Sequence, residues 1–225
     1  MKTRRNEGRA NTAIILIWIV FAIEIVSLIS SGLQYNLLSI VANDGYVSDE
    51  AATFNDIREQ IISLILIIAN IISAITFIMW FRRAYYNLHQ HINYLQYSEG
   101  WAAGSWFVPI VNLYRPYRIM RELYVETAHL MRRHEMSDKV RYTDKYLIWW
   151  WVLWIVSGFI GNIIFRTSLK DPETIDGYMY LTLAQIVVGI LRIALAPITI
   201  KIIRDYSKVE PLLIELEHKN VAIKS

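Results

Sequence analysis

The 225-residue chain contains no cysteine and only five prolines. Without cysteine it forms no disulfide and offers a metal no thiolate ligand. It also lacks a Ser-His-Asp spacing, a glycine loop that could cradle a phosphate group and an HExxH pattern. These absences favour a non-enzymatic protein and give no reason to expect a cofactor.

The histidines do not favour a metal site either. His89 and His91 are two residues apart, and His129 and His134 are five apart, so neither pair shares a face of a helix. Because no cysteine is available to complete such a set, we predict that no metal is bound.

Hydrophobic residues make up 55% of the chain and concentrate in four long runs, at about 12–40, 57–81, 146–165 and 178–203. A helix of about 20 apolar residues crosses the hydrocarbon core of a bilayer. The remaining residues are too few to build a second domain with its own core. The sequence therefore predicts an all-α integral membrane protein with four transmembrane helices and a single domain, 1–225.

Cations mark the ends of these runs unevenly. Lys2, Arg4 and Arg5 precede the first run, whereas the loop 41–56 holds four acids and no cation. Under the positive-inside rule both termini face the cytoplasm. The first run is too long for the apolar region of a signal peptide, so we expect it to remain as a transmembrane helix.

The same rule places the central segment 82–145 and the tail 204–225 in the cytoplasm, and the short loop containing Asp171 and Pro172 outside. We expect the end of this tail to be a short amphipathic piece. The tryptophans Trp149, Trp150, Trp151 and Trp154 are expected to form an aromatic belt at the cytoplasmic interface.

The central segment contains two helical patterns. The second transmembrane helix is predicted to continue beyond the membrane, because Tyr85, Leu88, Ile92 and Leu95 are spaced three or four residues apart. A further amphipathic helix is predicted to begin at Pro116, since proline suits the first helical position. Its apolar stripe is Met120, Leu123, Thr127, Leu130 and Met131.

Between these helices, residues 100–114 carry no charge but are too short to cross a membrane as a helix. We predict that they form a re-entrant or interfacial segment, which pairs with the amphipathic helix as a cytoplasmic hairpin. The candidate residues of this interfacial motif are Trp101, Trp106, Pro109, Asn112, Arg115, Pro116, Arg118, Arg121 and Glu122.

This region resembles a known family. The letters FRRAYYNL begin at Phe81, and the pattern W-F-x-P-x-x-N-L-x-R-P-Y-x-x-M-R-E-L runs from Trp106 to Leu123. Both are similar to the signature of a bacterial family of multi-span membrane proteins whose shared domain has no assigned function. The resemblance implies a fold and an inner-membrane location, and it implies no reaction.

Three polar residues fall near the middle of the apolar runs: Glu24, Asn70 and Arg192. A charge at this depth costs about 2.5–3.5 kcal/mol, so we expect Glu24 and Arg192 to contact each other. Such a cluster could relay protons or ions, or it could be a structural ion pair that fixes how the helices pack. Ser157 and Gly161 would allow another helix to approach closely, in this chain or in a second copy.

The arginines of the interfacial motif also have two readings. They could bind anionic lipid head groups or a phosphorylated partner, or they could only fix the orientation of the chain. Trp101 and Trp106 could line a binding groove or pack as a wedge between the helices. Nucleic-acid binding is not expected, because acids are interspersed among these cations.

The leading hypothesis is a scaffold, accessory or regulatory subunit that presents a Trp/Arg-rich cytoplasmic surface to a partner or to lipid. The alternative is a small channel or transporter that uses Glu24, Asn70 and Arg192.

Overall fold

A computed structural model describes residues 2–136, 138, 140, 142–170 and 174–224, with helical side chains described as far as residue 218. The elements in chain order are α1 (Glu7–Ala42), α2 (Asp49–His89), α3 (Trp101–Gly104), a 3-10 turn (Val111–Leu113), α4 (Arg115–Arg133), α5 (Lys145–Ser168) and α6 (Ile175–Lys224). The loop predicted at Asp171 and Pro172 lies outside the described residues.

Four of these helices, α1, α2, α5 and α6, are long and apolar enough to cross a membrane. Their apolar side chains are not hidden in a core: Ile61, Leu64 and Ile68 of α2 are 53%, 59% and 49% exposed. Large exposed apolar surface is expected where lipid surrounds a helix. The all-α class and the presence of four helices of membrane-spanning length are therefore confirmed.

Helix α2 ends at His89, so the prediction that it continues through Leu95 is wrong. The chain folds back instead, and two side chains of α2 hold the returning segment. The hydroxyl oxygen of Tyr85 and Nε2 of His89 each lie 3.0 Å from the carbonyl oxygen of Tyr97. Leu88 and Ile92 are nevertheless buried, as their spacing predicts.

Helix α6 continues through the predicted tail to Lys224, so the amphipathic piece expected there is the end of this long helix. Tyr206, Val209, Leu213 and Leu216 recur at helical spacing, and all four are buried. This stripe explains why the helix persists, since burial stabilises an amphipathic helix more than intrinsic propensity does.

The chain forms two compact units. The first comprises Met1–Leu16, Ser73–Trp151 and Ile198–Ser225, and its core includes Trp80 and Phe81. The second comprises Ile17–Ile72 and Val152–Pro197. Its buried residues include several polar ones, namely Glu24, Ser30, Ser31, Asn55, Ser157 and Thr182.

Candidate functional site

Helix α4, in the first unit, has one face buried and one face open. It begins at Arg115 with Pro116 in its first turn, as the sequence predicts. Every residue of the predicted apolar stripe is buried, and Ile119 and Tyr124 are buried with them. This face fixes the helix in the unit and leaves the opposite face to carry polar side chains.

Trp106 lies at the centre of an aromatic cluster. Its ring packs edge-on against Phe77, with the centroids 5.7 Å apart, and against Trp150 at 6.4 Å and Trp151 at 6.1 Å. Its indole nitrogen donates to the carbonyl of Ala102 at 3.1 Å. Of the two readings for this side chain, these contacts favour a packed wedge over the lining of a groove.

The tryptophans expected to form an interfacial belt separate into two environments. Trp149 is 64% exposed, whereas Trp150 and Trp151 are 2% and 6% exposed. Trp151 donates to the carbonyl of Leu113 at 3.1 Å and stacks on Tyr117 with the ring centroids 6.2 Å apart. Aromatic neighbours in the first unit therefore cover Trp150 and Trp151, and the belt at the cytoplasmic interface stays a prediction.

Arg115 is held between two aromatic rings. Its guanidinium carbon lies 4.1 Å from the ring centre of Trp101 and 5.5 Å from that of Tyr97. Its Nε atom is buried and has no hydrogen-bond partner among the described residues. Cation–π contacts thus account for the position of Arg115 and of Trp101.

The segment before α4 exposes three apolar side chains, which we call the apolar tip: Phe107, Ile110 and Leu113, at 75%, 75% and 53% exposure. Ile110 has φ 66° and ψ −48°. The amide of Val111 donates to the carbonyl of Pro109 at 2.7 Å, which closes a classic γ-turn. This turn is strained for a β-branched residue. Pro109 is exposed within it, and Asn112 is half-buried in the 3-10 turn that follows.

The open face of α4 lines a cavity of about 440 Å³, which we call the α4 cavity. Its volume is in the range of small-molecule sites, about 300–1,000 Å³. Six lining residues come from α4 itself, and three come from other segments of the first unit. They are Tyr117, Arg118, Arg121, Glu122, Val125 and Glu126, with Gln96, Tyr114 and Trp151.

The two carboxylates of this cavity are held in place by hydrogen bonds. Glu122 accepts hydrogen bonds from the hydroxyl of Tyr85 at 2.6 Å and from the backbone amide of Gln96 at 2.7 Å. The hydroxyl of Tyr94 donates to Glu126 at 3.1 Å.

The two arginines of the cavity are less constrained. The guanidinium of Arg118 lies 5.1 Å from the ring centre of Tyr114, and Arg121 lies 3.8 Å from the carboxylate of Asp144. The motif thus supplies Arg118, Arg121 and Glu122 to one site. Sequence reasoning missed Glu126, although its spacing from Glu122 signals the same helix face.

The second unit contains the intramembrane pair. Nη1 of Arg192 donates to Oε1 of Glu24 at 3.3 Å, so the expected contact between the two charges is present. Asn70 instead donates to the carbonyl of Leu66 in its own helix at 2.9 Å. Gly161 lies beside the guanidinium, because a Cβ atom there would come 3.2 Å from Nη2 of Arg192.

A buried carboxylate in the first unit was not predicted. Glu210 of α6 is 5% exposed and accepts hydrogen bonds from the side-chain amides of Asn6, at 3.1 Å, and Asn87, at 2.7 Å. Asn87 also bonds to both backbone groups of Arg4. We call these residues the Glu210 cluster. No local pattern signals it, because its members are far apart in the sequence.

The cluster fixes the segment that precedes α1. One further contact supports this segment: the hydroxyl of Thr3 lies 3.0 Å from Nε2 of His91. Burial lowers the pKa of His91, and the nearby Glu217 carboxylate opposes that effect. Burial therefore favours the neutral imidazole.

These features define an all-helical, multi-pass membrane protein with a charged cavity beside one amphipathic helix. Residues 43–208, about three quarters of the chain, match the family model of a domain of unknown function, DUF4328. The chain belongs to the DUF4328 family, which agrees with the resemblance to a family without an assigned function. No curated protein and no solved structure matches it.

Proposed function

We propose that this DUF4328 protein is a non-enzymatic scaffold, accessory or regulatory subunit that presents the open face of α4 to a membrane lipid or a protein partner. One observation carries the proposal: α4 buries one face and offers the other as a charged cavity, close in sequence to the apolar tip. Exposed apolar side chains next to arginines suit a surface that contacts both apolar and anionic groups.

Site-specific photocross-linking in whole membranes tests this proposal. A photoreactive amino acid in place of Phe107 or Arg118 should give a defined adduct, which mass spectrometry identifies as lipid, partner protein or a second copy of the chain. Tyr46, which is 89% exposed in the turn after α1, is the matched control position. Adducts that are equally frequent at Tyr46, or absent at both test positions, would refute the proposal.

We further propose that both termini and α4 lie in the cytoplasm, with the chain in a bacterial inner membrane. Because the chain contains no cysteine, a single introduced cysteine is the one thiol in the chain that a labelling reagent can modify. A membrane-impermeant thiol reagent applied to intact cells should label a Tyr46→Cys variant and spare an Arg132→Cys variant. Labelling of the Arg132→Cys variant in intact cells would reverse the orientation.

A small channel or transporter is the second candidate, and the pair of Glu24 and Arg192 favours it. Glu24 is 3% exposed, and Gln34 donates to Thr182 at 3.3 Å elsewhere in the same unit. If these groups form a transport path, ion or proton flux in proteoliposomes should fall in a Glu24→Gln variant. Flux that is absent from the unmodified protein would reject this candidate.

A further inference from the structure

The charges of the α4 cavity are ordered along the helix. Arg118, Arg121, Glu122, Val125 and Glu126 have the spacing i, i+3, i+4, i+7 and i+8, which places them on one helix face. The first of them is an arginine in the first turn, and the last is a glutamate two turns later. The face is therefore positive towards the N-terminus of α4 and negative further along.

The helix itself reinforces the positive end. An α-helix carries a partial positive charge at its N-terminus, which favours an anion there. Arg118 is exposed and makes no ion pair within 4.0 Å among the described residues. Its only charge-related contact among those residues is with the ring of Tyr114. An anionic group bound to Arg118 would therefore displace no carboxylate from it, and a group that also reaches Arg121 would share that arginine with the exposed carboxylate of Asp144, 3.8 Å away.

The other end of the face has unused acceptor capacity. A carboxylate offers about four acceptor positions. The described contacts of Glu122 use two of these, and those of Glu126 include one hydrogen bond from Tyr94 and a distance of 3.9 Å to His129. A primary ammonium group, with its three donors, could bind between these two carboxylates.

From this order of charges we infer that the α4 cavity binds the zwitterionic phosphoethanolamine head group of a membrane phospholipid. The phosphate lies at Arg118 and Arg121, and the ammonium group lies at Glu122 and Glu126. This inference rests on the proposed function, since it names the ligand of the same surface.

The apolar tip indicates that the ligand is a lipid and not a free phosphate compound. Leu113 precedes Tyr114, which lines the cavity, and its carbonyl accepts the hydrogen bond from Trp151, which also lines it. The tip therefore adjoins the phosphate end of the cavity, where the acyl chains of a bound phospholipid would begin. Its exposed Phe107 and Ile110 can contact those chains.

Native mass spectrometry of the delipidated full chain in mild detergent tests the inference. The ligands are short-chain phosphatidylethanolamine, phosphatidylglycerol with the same acyl chains, and glycerophosphoethanolamine, which has none. The test variants are Arg118→Gln and Glu126→Gln. Arg132→Gln and Glu135→Gln remove the same charges from exposed positions outside the cavity, and thermal unfolding confirms that each variant is folded.

We expect phosphatidylethanolamine to bind at least about tenfold more tightly than phosphatidylglycerol, since a charge-assisted hydrogen bond distinguishes them. Glu126→Gln should remove this preference, whereas Arg118→Gln should weaken both lipids about tenfold. The control variants should bind like the unmodified chain. Glycerophosphoethanolamine should bind much more weakly than the lipid.

Three results would overturn the inference: equal affinity for the two lipids, an unchanged preference in Glu126→Gln, or equal affinity for the compound without acyl chains. If neither lipid binds but cross-linking at Phe107 captures a protein, the lipid site is refuted and the proposed function stands. If both experiments are negative, both proposals fail.

Discussion

The glycines of α5 provide a direct test of the packing around the intramembrane pair. Gly158 and Gly161 lie three residues apart in the same helix. A Cβ atom at Gly158 would meet nothing within 4 Å, whereas one at Gly161 would come 3.2 Å from Nη2 of Arg192. The variants Gly158→Ala and Gly161→Ala therefore add the same methyl group with and without this contact.

The expected magnitudes follow from two effects. Replacing glycine by alanine inside a helix stabilises it by about 0.8–1.0 kcal/mol, and this applies at both positions. At Gly161 the guanidinium must also move away from the new methyl group. If its separation from Glu24 grows by about half an ångström from 3.3 Å, the attraction weakens by about 0.7 kcal/mol at an effective dielectric constant of about 20.

Gly158→Ala should therefore stabilise the protein, and Gly161→Ala should be close to neutral. For a chain of this size the difference of about 0.7 kcal/mol corresponds to roughly 1–3 °C in melting temperature. Thermal unfolding in mild detergent measures it.

A double-mutant cycle then tests the cause. In a Glu24→Gln background, the difference between the two alanine variants should shrink, because the ion pair that the methyl group disturbs is gone. Equal melting temperatures for the two single variants, or a difference that persists unchanged with Glu24→Gln, would contradict this account of Gly161.

Three further predictions concern the first unit. Glu210→Ala should destabilise the protein by about 2–3 kcal/mol, because the buried amides of Asn6 and Asn87 lose their acceptor, and Glu210→Gln should cost less in the same unfolding assay. Ile110→Gly should raise the melting temperature, because it relieves about 1–3 kcal/mol of backbone strain. The greater conformational entropy of glycine in the unfolded chain offsets about 0.5–1 kcal/mol of this gain. A lower melting temperature would contradict the strained γ-turn. Because burial lowers the pKa of His91, the unfolded chain takes up a proton more readily, so stability should fall as the pH drops below about 6.5, and His91→Gln should reduce that fall.

The sequence predicts a helix well when a single pattern of apolar residues runs along its whole length. The four apolar runs are long enough to specify membrane-crossing helices by length alone. For α4, the apolar spacing fixes which face is buried, and Pro116 fixes where the helix begins. In both cases the physical constraint is local, so a single sequence is enough to reveal it.

The wrong prediction for the end of α2 has a different cause. Periodicity places Leu95 on an apolar stripe, but it does not show whether lipid, protein or a turn lies next to that residue. Helix α2 ends early because Tyr85 and His89 contact the carbonyl of Tyr97, which lies 12 and 8 residues further along the chain. The spacing of apolar residues does not reveal such a contact. Local sequence likewise does not show that Trp150 is covered by a ring from another segment, that of Trp106.

The candidate sites were predictable to different degrees. Contact between Glu24 and Arg192 follows from the cost of a lone charge at their depth, and the structure shows that contact. The motif predicts Arg118, Arg121 and Glu122 as part of one surface, but it cannot show that Trp151 also lines the cavity, because that residue comes from α5. A site assembled from separate segments is visible only once they are folded together.

The packing of the two sites decides which is the better candidate for ligand binding. Glu24 and Arg192 neutralise each other at 3.3 Å, and the backbones at Gly161 and Gly189 lie close to these two side chains. Because each charge of this pair already has a partner, the pair is less available to a ligand. The α4 cavity is open, keeps two arginines and two glutamates on one face, and is formed entirely by residues within the matched range 43–208, whereas Glu24 lies outside it. An open cavity whose charged side chains can still form hydrogen bonds is the better candidate for binding a ligand.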